Sequence, residues 1–101
     1  MKYISIKDVE SHLGQEVSIR AWVRNIRHSG KLLFIILRDG SGELQSVAFR
    51  PDLGDEKFEV ARKLSMESSV IVTGIPKAHP KMEGEYELSI TDVQPWQIAE
   101  E

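Results

Sequence analysis

The sequence predicts a small all-β protein, with a five-stranded barrel, one helix between strands three and four, and a short N-terminal helix. Apolar and polar residues alternate in residues 17–24 with the period of two that is typical of a half-buried strand. Glycine-rich turn residues at 39–42 lie between two further strand-like segments. The segment 55–66 instead spaces its apolar residues as one face of a helix. Together these patterns indicate a run of strands that a single internal helix interrupts.

The N-terminal helix is predicted within residues 1–14 from a capping box, in which Ser5 is the N-cap and Asp8 stands in place of the usual Glu. Gly14 would end this helix, because glycine readily adopts the left-handed conformation found after a helix. Its apolar face would consist of Ile6, Val9 and Leu13.

The first three strands follow in close succession. Residues 17–24 form the first, with one apolar face and one polar, basic face, and residues 28–31 form a turn. The continuous apolar run 32–37 is too short for a helix and suits a central strand. A third strand is expected at 44–49, and the Pro and Gly of residues 51–54 should break it.

The internal helix is expected at 55–66 and the last two strands at 69–75 and 85–90. A loop with two prolines, residues 76–84, would join these strands, and residues 93–96 would lead into a polar tail. Five strands with a helix after the third describe the OB-fold, a partly open barrel that binds oligonucleotides on strands two and three and nearby loops.

Length and composition place narrow limits on what the chain can do. Its 101 residues suit one domain, and the absence of cysteine excludes disulfides and thiolate metal sites. No apolar run approaches the roughly 20 residues that cross a bilayer, and the N-terminus lacks the apolar stretch of a signal peptide. We therefore expect a cytoplasmic protein with no membrane partner.

Charge is distributed unevenly along a chain whose formal net charge is −3. Residues 17–38 hold five basic residues and no acidic ones, whereas acidic residues gather at 52–59 and 83–87. The basic residues are Arg20, Arg24, Arg27, Lys31 and Arg38. Such a pattern allows RNA binding at one face, although a basic strand face that is merely solvated is an equally good explanation of the charge alone.

No pattern for catalysis is present, so we expect neither catalytic residues, nor a metal, nor a cofactor in this domain. The histidines lie far apart without metal-ligand spacing: His12, His28 and His79. The glycines at 39–42 join two strands, whereas a phosphate-binding loop should open a helix. Glu85 and Glu87 share one face of a predicted strand, which favours a solvated face over an acid–base pair.

Phe34 allows two interpretations. In the apolar run, Leu32, Phe34 and Ile36 share one face, and the alternate residues 33, 35 and 37 share the other. If residues 33, 35 and 37 fill the barrel, Phe34 lies outside the core. An exposed ring beside Arg27 and a neighbouring Gln45 would supply the stacking and amide hydrogen bonds that single-stranded RNA recognition needs. Spacing alone slightly favours the alternative in which Phe34 is core, because most apolar residues in an apolar run are buried.

Residues 17–45 resemble the N-terminal anticodon-binding domain of class II aminoacyl-tRNA synthetases for asparagine, aspartate and lysine. The family pattern is a strand containing (G)W(V), then Arg, then F-x-x-L-R-D-x-x-G-x-x-Q, which Phe34 to Gln45 reproduce. Ala21 replaces the usual glycine before Trp22. The resemblance extends over nearly the whole chain.

The resemblance implies roles for individual residues. Phe34 would stack on the anticodon, Gln45 would contact its middle base, a uridine, and Arg27 would contact the anticodon loop. Glu87 matches a glutamate near the third anticodon base. With two further cations of the basic stretch, the expected RNA-binding set is Phe34, Gln45, Arg27, Glu87, Arg24 and Lys31.

The resemblance is greatest to asparaginyl enzymes, on residues 29–31 and 38–42, and next to aspartyl and lysyl enzymes. It implies tRNA as the partner and a homodimeric, ATP- and magnesium-dependent parent ligase. The class II catalytic motifs are missing, so we expect an excised domain whose residues 95–101 begin a hinge. Two alternatives remain open: a generic single-stranded nucleic-acid-binding OB domain, and a protein-interaction or dimerisation module.

Overall fold

Five strands form a closed barrel in the computed structural model, which describes residues 3–64, 68–82 and 84–97. Around the barrel the strands follow the order β1-β2-β3-β5-β4, and β4 pairs with β1 to close it. The elements are a 3-10 helix (Ile6–His12), β1 (Val17–Ser29), β2 (Leu32–Arg38), β3 (Glu43–Phe49), α1 (Arg50–Leu53), α2 (Asp55–Arg62), β4 (Ser69–Ala78) and β5 (Tyr86–Gln97). The predicted five-stranded barrel, its helical segment after the third strand and its short N-terminal helix are therefore confirmed.

Three strands are longer than the sequence pattern predicted. β1 continues to Ser29, β4 continues through Pro76 to Ala78, and β5 continues to Gln97, where a loop and a tail were expected. Register shifts explain the errors in β1 and β5, because an extra residue on one strand changes which face the following side chains occupy. The extension of β4 instead pairs in regular register with the start of β5. In β5 the shift lies between the partners of Thr73 and Gly74, so that Ile90 and Val93 both point inward although they are three residues apart.

The helical segment after β3 differs from the prediction in its bounds. Residues 51–54, expected to be a break, form most of α1, and Pro51 fits there because the first turn of a helix leaves its N–H groups without helical partners. Gly54, with φ of +93°, separates α1 from α2, which ends at Arg62 and not near residue 66. Positions 65 and 66 lie outside the described residues. Phe58 of α2 is fully buried against the barrel.

The N-terminal helix is held by the β2–β3 turn and not by its own capping box, so that prediction is wrong. Ser5 makes no side-chain cap; instead the backbone N–H of Ile6 donates to Oδ2 of Asp39 at 2.7 Å. Lys7 N–H donates to Oγ of Ser41 at 3.1 Å. Leu13, predicted on the apolar face, is 44% exposed, whereas Ile6 and Val9 are buried. The turn therefore fixes the helix to the barrel.

Inward-facing side chains from every strand fill the barrel. Among the fully buried residues are Ile19, Val23, Leu33, Ile35, Leu37, Ala48, Phe58, Val72 and Leu88. In β2 the inward set is the alternate one, which leaves the other face of this strand outside the core. Within residues 3–64, 68–82 and 84–97, no helix is long and apolar enough to span a membrane.

We predict that Asp39→Ala lowers the free energy of unfolding by about 1–2 kcal/mol, the usual cost of a lost helix cap. Asp8→Ala is the matched control, because the capping-box hypothesis gave Asp8 the place of the usual Glu, three residues after the Ser5 cap. Its exposed side chain should change stability by less than about 0.5 kcal/mol. Chemical denaturation of the two variants tests this, and equal losses would contradict the assignment.

The same contact predicts a pH dependence. Partial burial of Asp39 acts to raise its pKa, but hydrogen bonds from Ser41, Ile6 and Gly42 outweigh burial and lower the pKa below its ordinary value. A lowered pKa stabilises the folded state above the pKa of the unfolded chain, about 3.9 for Asp, and this stabilisation is lost as the pH falls. The stability difference between the parent protein and Asp39→Ala should therefore shrink between about pH 5 and pH 3; a constant difference would contradict it.

Candidate nucleic-acid interface

Four of the predicted RNA-binding residues lie side by side on four neighbouring strands of the barrel wall, β1, β2, β3 and β5. Phe34 of β2 pairs with Arg27 of β1, and the neighbouring Ile36 pairs with Gln45 of β3. Gln45 in turn pairs with Glu87, where β3 and β5 run parallel. The strand order therefore brings together residues that are separated by up to 60 positions in the sequence.

Phe34 belongs to the outer face of β2. Its neighbours Leu33 and Ile35 are 0% exposed, whereas Phe34 is only partly buried. The guanidinium carbon of Arg27 lies 4.8 Å from the centre of the Phe34 ring, in the geometry of a cation–π contact. The interpretation of Phe34 as a core residue is therefore wrong, and the ring is available at the surface beside a cation.

Gln45 is oriented by a buried carboxylate. Its Nε2 donates to Oε2 of Glu87 at 2.7 Å, and Nζ of Lys77 lies 3.7 Å from the other carboxylate oxygen. An ionised carboxylate only accepts hydrogen bonds, so the Gln45 amide must turn its nitrogen toward Glu87. Glu87 is 6% exposed, while Glu85 is exposed and precedes β5, so the predicted solvated face with both carboxylates is wrong.

Two surface cavities meet at Gln45. The smaller has a volume of about 80 Å³ and is lined by Asn25, Arg27, Phe34, Ile36 and Gln45. The larger, about 170 Å³, is lined by Ile6, Val9, Glu43, Leu44, Gln45, His79, Met82, Glu85 and Tyr86. The larger one is lined by both apolar and polar side chains, which can give a ligand apolar contact and hydrogen bonds at the same time.

The other two predicted residues, Arg24 and Lys31, line neither of these cavities. Arg24 is exposed at the irregularity in β1 between Val23 and Asn25, with Nε 3.6 Å from Oε2 of Glu43. Lys31 is exposed in the β1–β2 turn, three residues before Phe34, which corresponds to roughly 10 Å along a strand. Both can contribute charge around the site, and neither reaches its centre.

The structure adds two residues that the sequence analysis did not assign to the site. Asn25 lines the smaller cavity because the irregularity in β1 turns it outward, and its Oδ1 accepts the N–H of Ile26 at 2.9 Å. His79, considered earlier only as a metal ligand, lies 3.5 Å from Gln45. The alternation of apolar and polar residues does not predict the position of Asn25. For His79, the only sequence signal is its place in the loop before β5.

A search across the described parts of the chain finds no group of three or more His, Asp or Glu side chains that could hold a metal ion. The surface offers the Phe34 ring, the oriented Gln45 amide, exposed cations and two shallow cavities lined by both polar and apolar groups. This set of groups suits stacking and hydrogen bonding to a planar polar ligand.

Comparison with known families identifies the family of this domain. The sequence profile of the tRNA anticodon type of OB-fold nucleic acid binding domain matches residues 17–96. The chain belongs to this family. The matched residues span all five strands and both helices of the barrel, and they include the six residues that the sequence analysis selected.

Relatives of this OB-fold domain are found in aminoacyl-tRNA synthetases. An asparagine–tRNA ligase of Streptococcus pyogenes is 48% identical over 101 residues, a match that covers 92% of this chain and 22% of that protein. Asparaginyl-tRNA synthetase from Pyrococcus horikoshii, complexed with asparaginyl-adenylate, superposes with a TM-score of 0.88 at 33% identity. That match covers 98% of this chain and 23% of the synthetase.

An aspartyl-tRNA synthetase from Entamoeba histolytica is also similar, with a TM-score of 0.90, 30% identity, and coverage of 100% of this chain and 22% of that one. Two amino acid specificities thus occur among proteins with the same barrel. The chain spans between a fifth and a quarter of the length of these relatives.

We predict that Phe34→Ala leaves the domain folded, whereas Ile35→Ala on the inward face destabilises it. Ile35 is 0% exposed, so its truncation should cost about 2–5 kcal/mol. Phe34 already has part of its surface in water, and its loss should cost no more than about 1–2 kcal/mol. Thermal unfolding followed by circular dichroism separates the two, and a larger loss for Phe34→Ala would mean that the ring supports the core.

Proposed function

We propose that this domain binds the single-stranded anticodon loop of a tRNA and serves an asparaginyl-tRNA synthetase. The observation that carries the proposal is the placement of the Phe34 ring and the oriented Gln45 amide around one small cavity. Stacking and a fixed amide are together sufficient to hold one splayed base and to test its identity.

Phe34 supplies affinity in this proposal. A base that has left the loop's own stack can place its π face on the ring, a contact worth roughly 1–3 kcal/mol in comparable proteins. Arg27 already lies over the ring at 4.8 Å, so its cation is held beside the base and near the phosphates that follow it. Arg24 and Lys31, both exposed, extend the positive surface on either side.

Gln45 supplies base identity. Because Glu87 holds its nitrogen, Gln45 turns its carbonyl oxygen away from Glu87, where it can accept the N3–H of uracil. The second hydrogen on Nε2 can then donate to a uracil carbonyl. Cytosine has a bare N3 acceptor, which would oppose the Gln45 oxygen, so the oriented amide favours uridine. Glu87 acts in this scheme as a positioning residue for Gln45.

The amino acid specificity and the wider enzyme are also part of the proposal. Similarity to asparagine ligases supports asparagine over aspartate and lysine. The parent protein would be an ATP- and magnesium-dependent, homodimeric cytoplasmic ligase, in which other parts of the longer chain activate the amino acid. This domain would contribute tRNA selection alone.

One observation favours a second function, contact with protein. Trp22 on β1 is 42% exposed and lines a cavity of about 270 Å³ with Arg20, Ala21, Asp39, Ser69 and Val70. This surface lies toward β4, four β2 residues away from Phe34, since Trp22 pairs with Arg38. It therefore does not compete with RNA binding at the Phe34 surface.

Two substitutions should separate affinity from base identity. We predict that Phe34→Ala weakens binding to every anticodon stem-loop, about 5- to 150-fold, because stacking tolerates any base. Gln45→Ala should weaken uridine-centred loops most and reduce the preference over cytidine-centred loops. Fluorescence titration of a stem-loop panel, varied at the second and third anticodon positions, measures both effects. Equal loss across the panel for Gln45→Ala would indicate a generic single-stranded binder.

Salt should weaken this binding only moderately. We predict that log K falls against log salt with a slope of about 2–4, since few cations face the RNA and a single strand contributes about 0.7 per neutralised phosphate. Charge reversal at Arg27 should lower the slope further, while charge reversal at Lys57, ion-paired to Asp92 on the α2 side, is the control. A flat response would show that the basic stretch does not face RNA.

A further inference from the structure

His79 lies in the loop between β4 and β5, with its ring fixed by the backbone. Its Nδ1 accepts the N–H groups of both Lys81 and Met82, each at 3.1 Å. A nitrogen that accepts hydrogen bonds carries no proton, so the ring proton of the neutral imidazole must be on Nε2. The loop therefore determines that His79 presents a donor at Nε2.

This donor faces a second donor. Nε2 of His79 lies 3.5 Å from Nε2 of Gln45. If the Gln45 amide turned its oxygen toward His79, the same oxygen would also face the Glu87 carboxylate, which needs an N–H donor at that position. Two N–H groups therefore meet at the wall between the two cavities, and neither satisfies the other. Such a pair is completed by an acceptor that lies between them.

The acceptor that fits two converging donors is a carbonyl oxygen, because its two lone pairs can accept both hydrogen bonds. An amino group at this position would place a third donor against these two, so a base that carries an amino group there would be rejected. Uracil carries carbonyl oxygens on both sides of N3–H, whereas cytosine has an amino group at C4. The two pyrimidines share the carbonyl at C2 and differ at C4, so this pair of donors distinguishes them by binding O4 of uracil.

We propose that His79 is a specificity-determining residue, whose Nε2–H joins Gln45 in binding O4 of the uridine base. The Gln45 oxygen accepts N3–H of the same base, so three hydrogen bonds fix its Watson–Crick edge. The inference rests on the proposed function, since it assigns a second residue to the recognition of the base that Gln45 binds. It gives the loop before β5 a direct part in base recognition.

Two substitutions separate the two nitrogens of His79. In His79→Asn the side-chain oxygen can replace Nδ1 and keep the loop, but the donor at Nε2 is lost. In His79→Gln the longer amide can bring an N–H close to the Nε2 position. His12→Asn is the matched control, because His12 lies in the 3-10 helix and contacts Gln15. Circular dichroism and thermal unfolding establish first that each variant is folded.

Binding of uridine- and cytidine-centred stem-loops is then measured for each protein. His79→Asn should lower the uridine preference about three- to tenfold, the value of one neutral hydrogen bond, with His79→Gln closer to the parent. His12→Asn should change nothing. An unchanged preference in His79→Asn, with Phe34→Ala and Gln45→Ala still impaired, overturns the inference and leaves the proposed function intact. Failure of the parent protein to bind any stem-loop overturns the proposed function itself.

Modified RNA tests the same contact without altering the fold. A stem-loop with 4-thiouridine at the middle position replaces O4 with sulfur, a weaker acceptor, whereas 2-thiouridine keeps O4 and is the control. The 4-thiouridine stem-loop should bind the parent protein more weakly than the uridine and 2-thiouridine stem-loops, and that loss should be much smaller in His79→Asn. An equal loss in the parent protein and His79→Asn, or no loss with 4-thiouridine, would contradict the contact between His79 and O4.

Discussion

The short parallel pairing of β3 with β5 is the contact on which both the barrel and its binding surface depend. It joins Gln45 to Glu87, Ser46 to Leu88 and Val47 to Ser89. Parallel strands need a long connection between them, and here α1, α2 and β4 provide it. The first of these pairs is also the one in which the carboxylate orients the amide, so the pairing of β3 with β5 and the orientation of Gln45 are set by the same residues.

Irregularities in the strands adapt this closed barrel to its surface. β1 pairs with β4 through residues 17–22 and with β2 through residues 22–29, and an extra residue at Arg24 lets one strand serve both partners. The same irregularity turns Asn25 toward Phe34. At Gly74 the strands approach so closely that an added Cβ would lie 2.4 Å from the carbonyl oxygen of Ser89. The close approach at Gly74 and the outward position of Asn25 both occur where the regular pairing of the strands is interrupted.

The sequence predicted those features that follow from local alternation and turn chemistry. The grouping of Leu33, Ile35 and Leu37 on one face of β2 and the turn at 39–42 are read directly from residue order, but spacing alone did not decide which face of β2 is buried. It missed what depends on partners distant in the chain. The cap of the first helix comes from Asp39 and not from Ser5, and the burial of Glu87 depends on Gln45, 42 positions away. The sequence also did not predict the extra residues in the strands, because each extra residue reverses the alternation of apolar and polar residues by which a strand is recognised.

The position of Gln45 between two cavities has a consequence for how neighbouring bases would be distinguished. The Gln45 amide lines both cavities and has one orientation at a time. A ligand that moves the amide in one cavity therefore changes the hydrogen-bonding groups that face the other cavity. Groups that share a partner in this way give coupled, non-additive energies. Adjacent positions of the RNA would then be recognised as a combination, and the penalty for a wrong base at one position would depend on the identity of its neighbour.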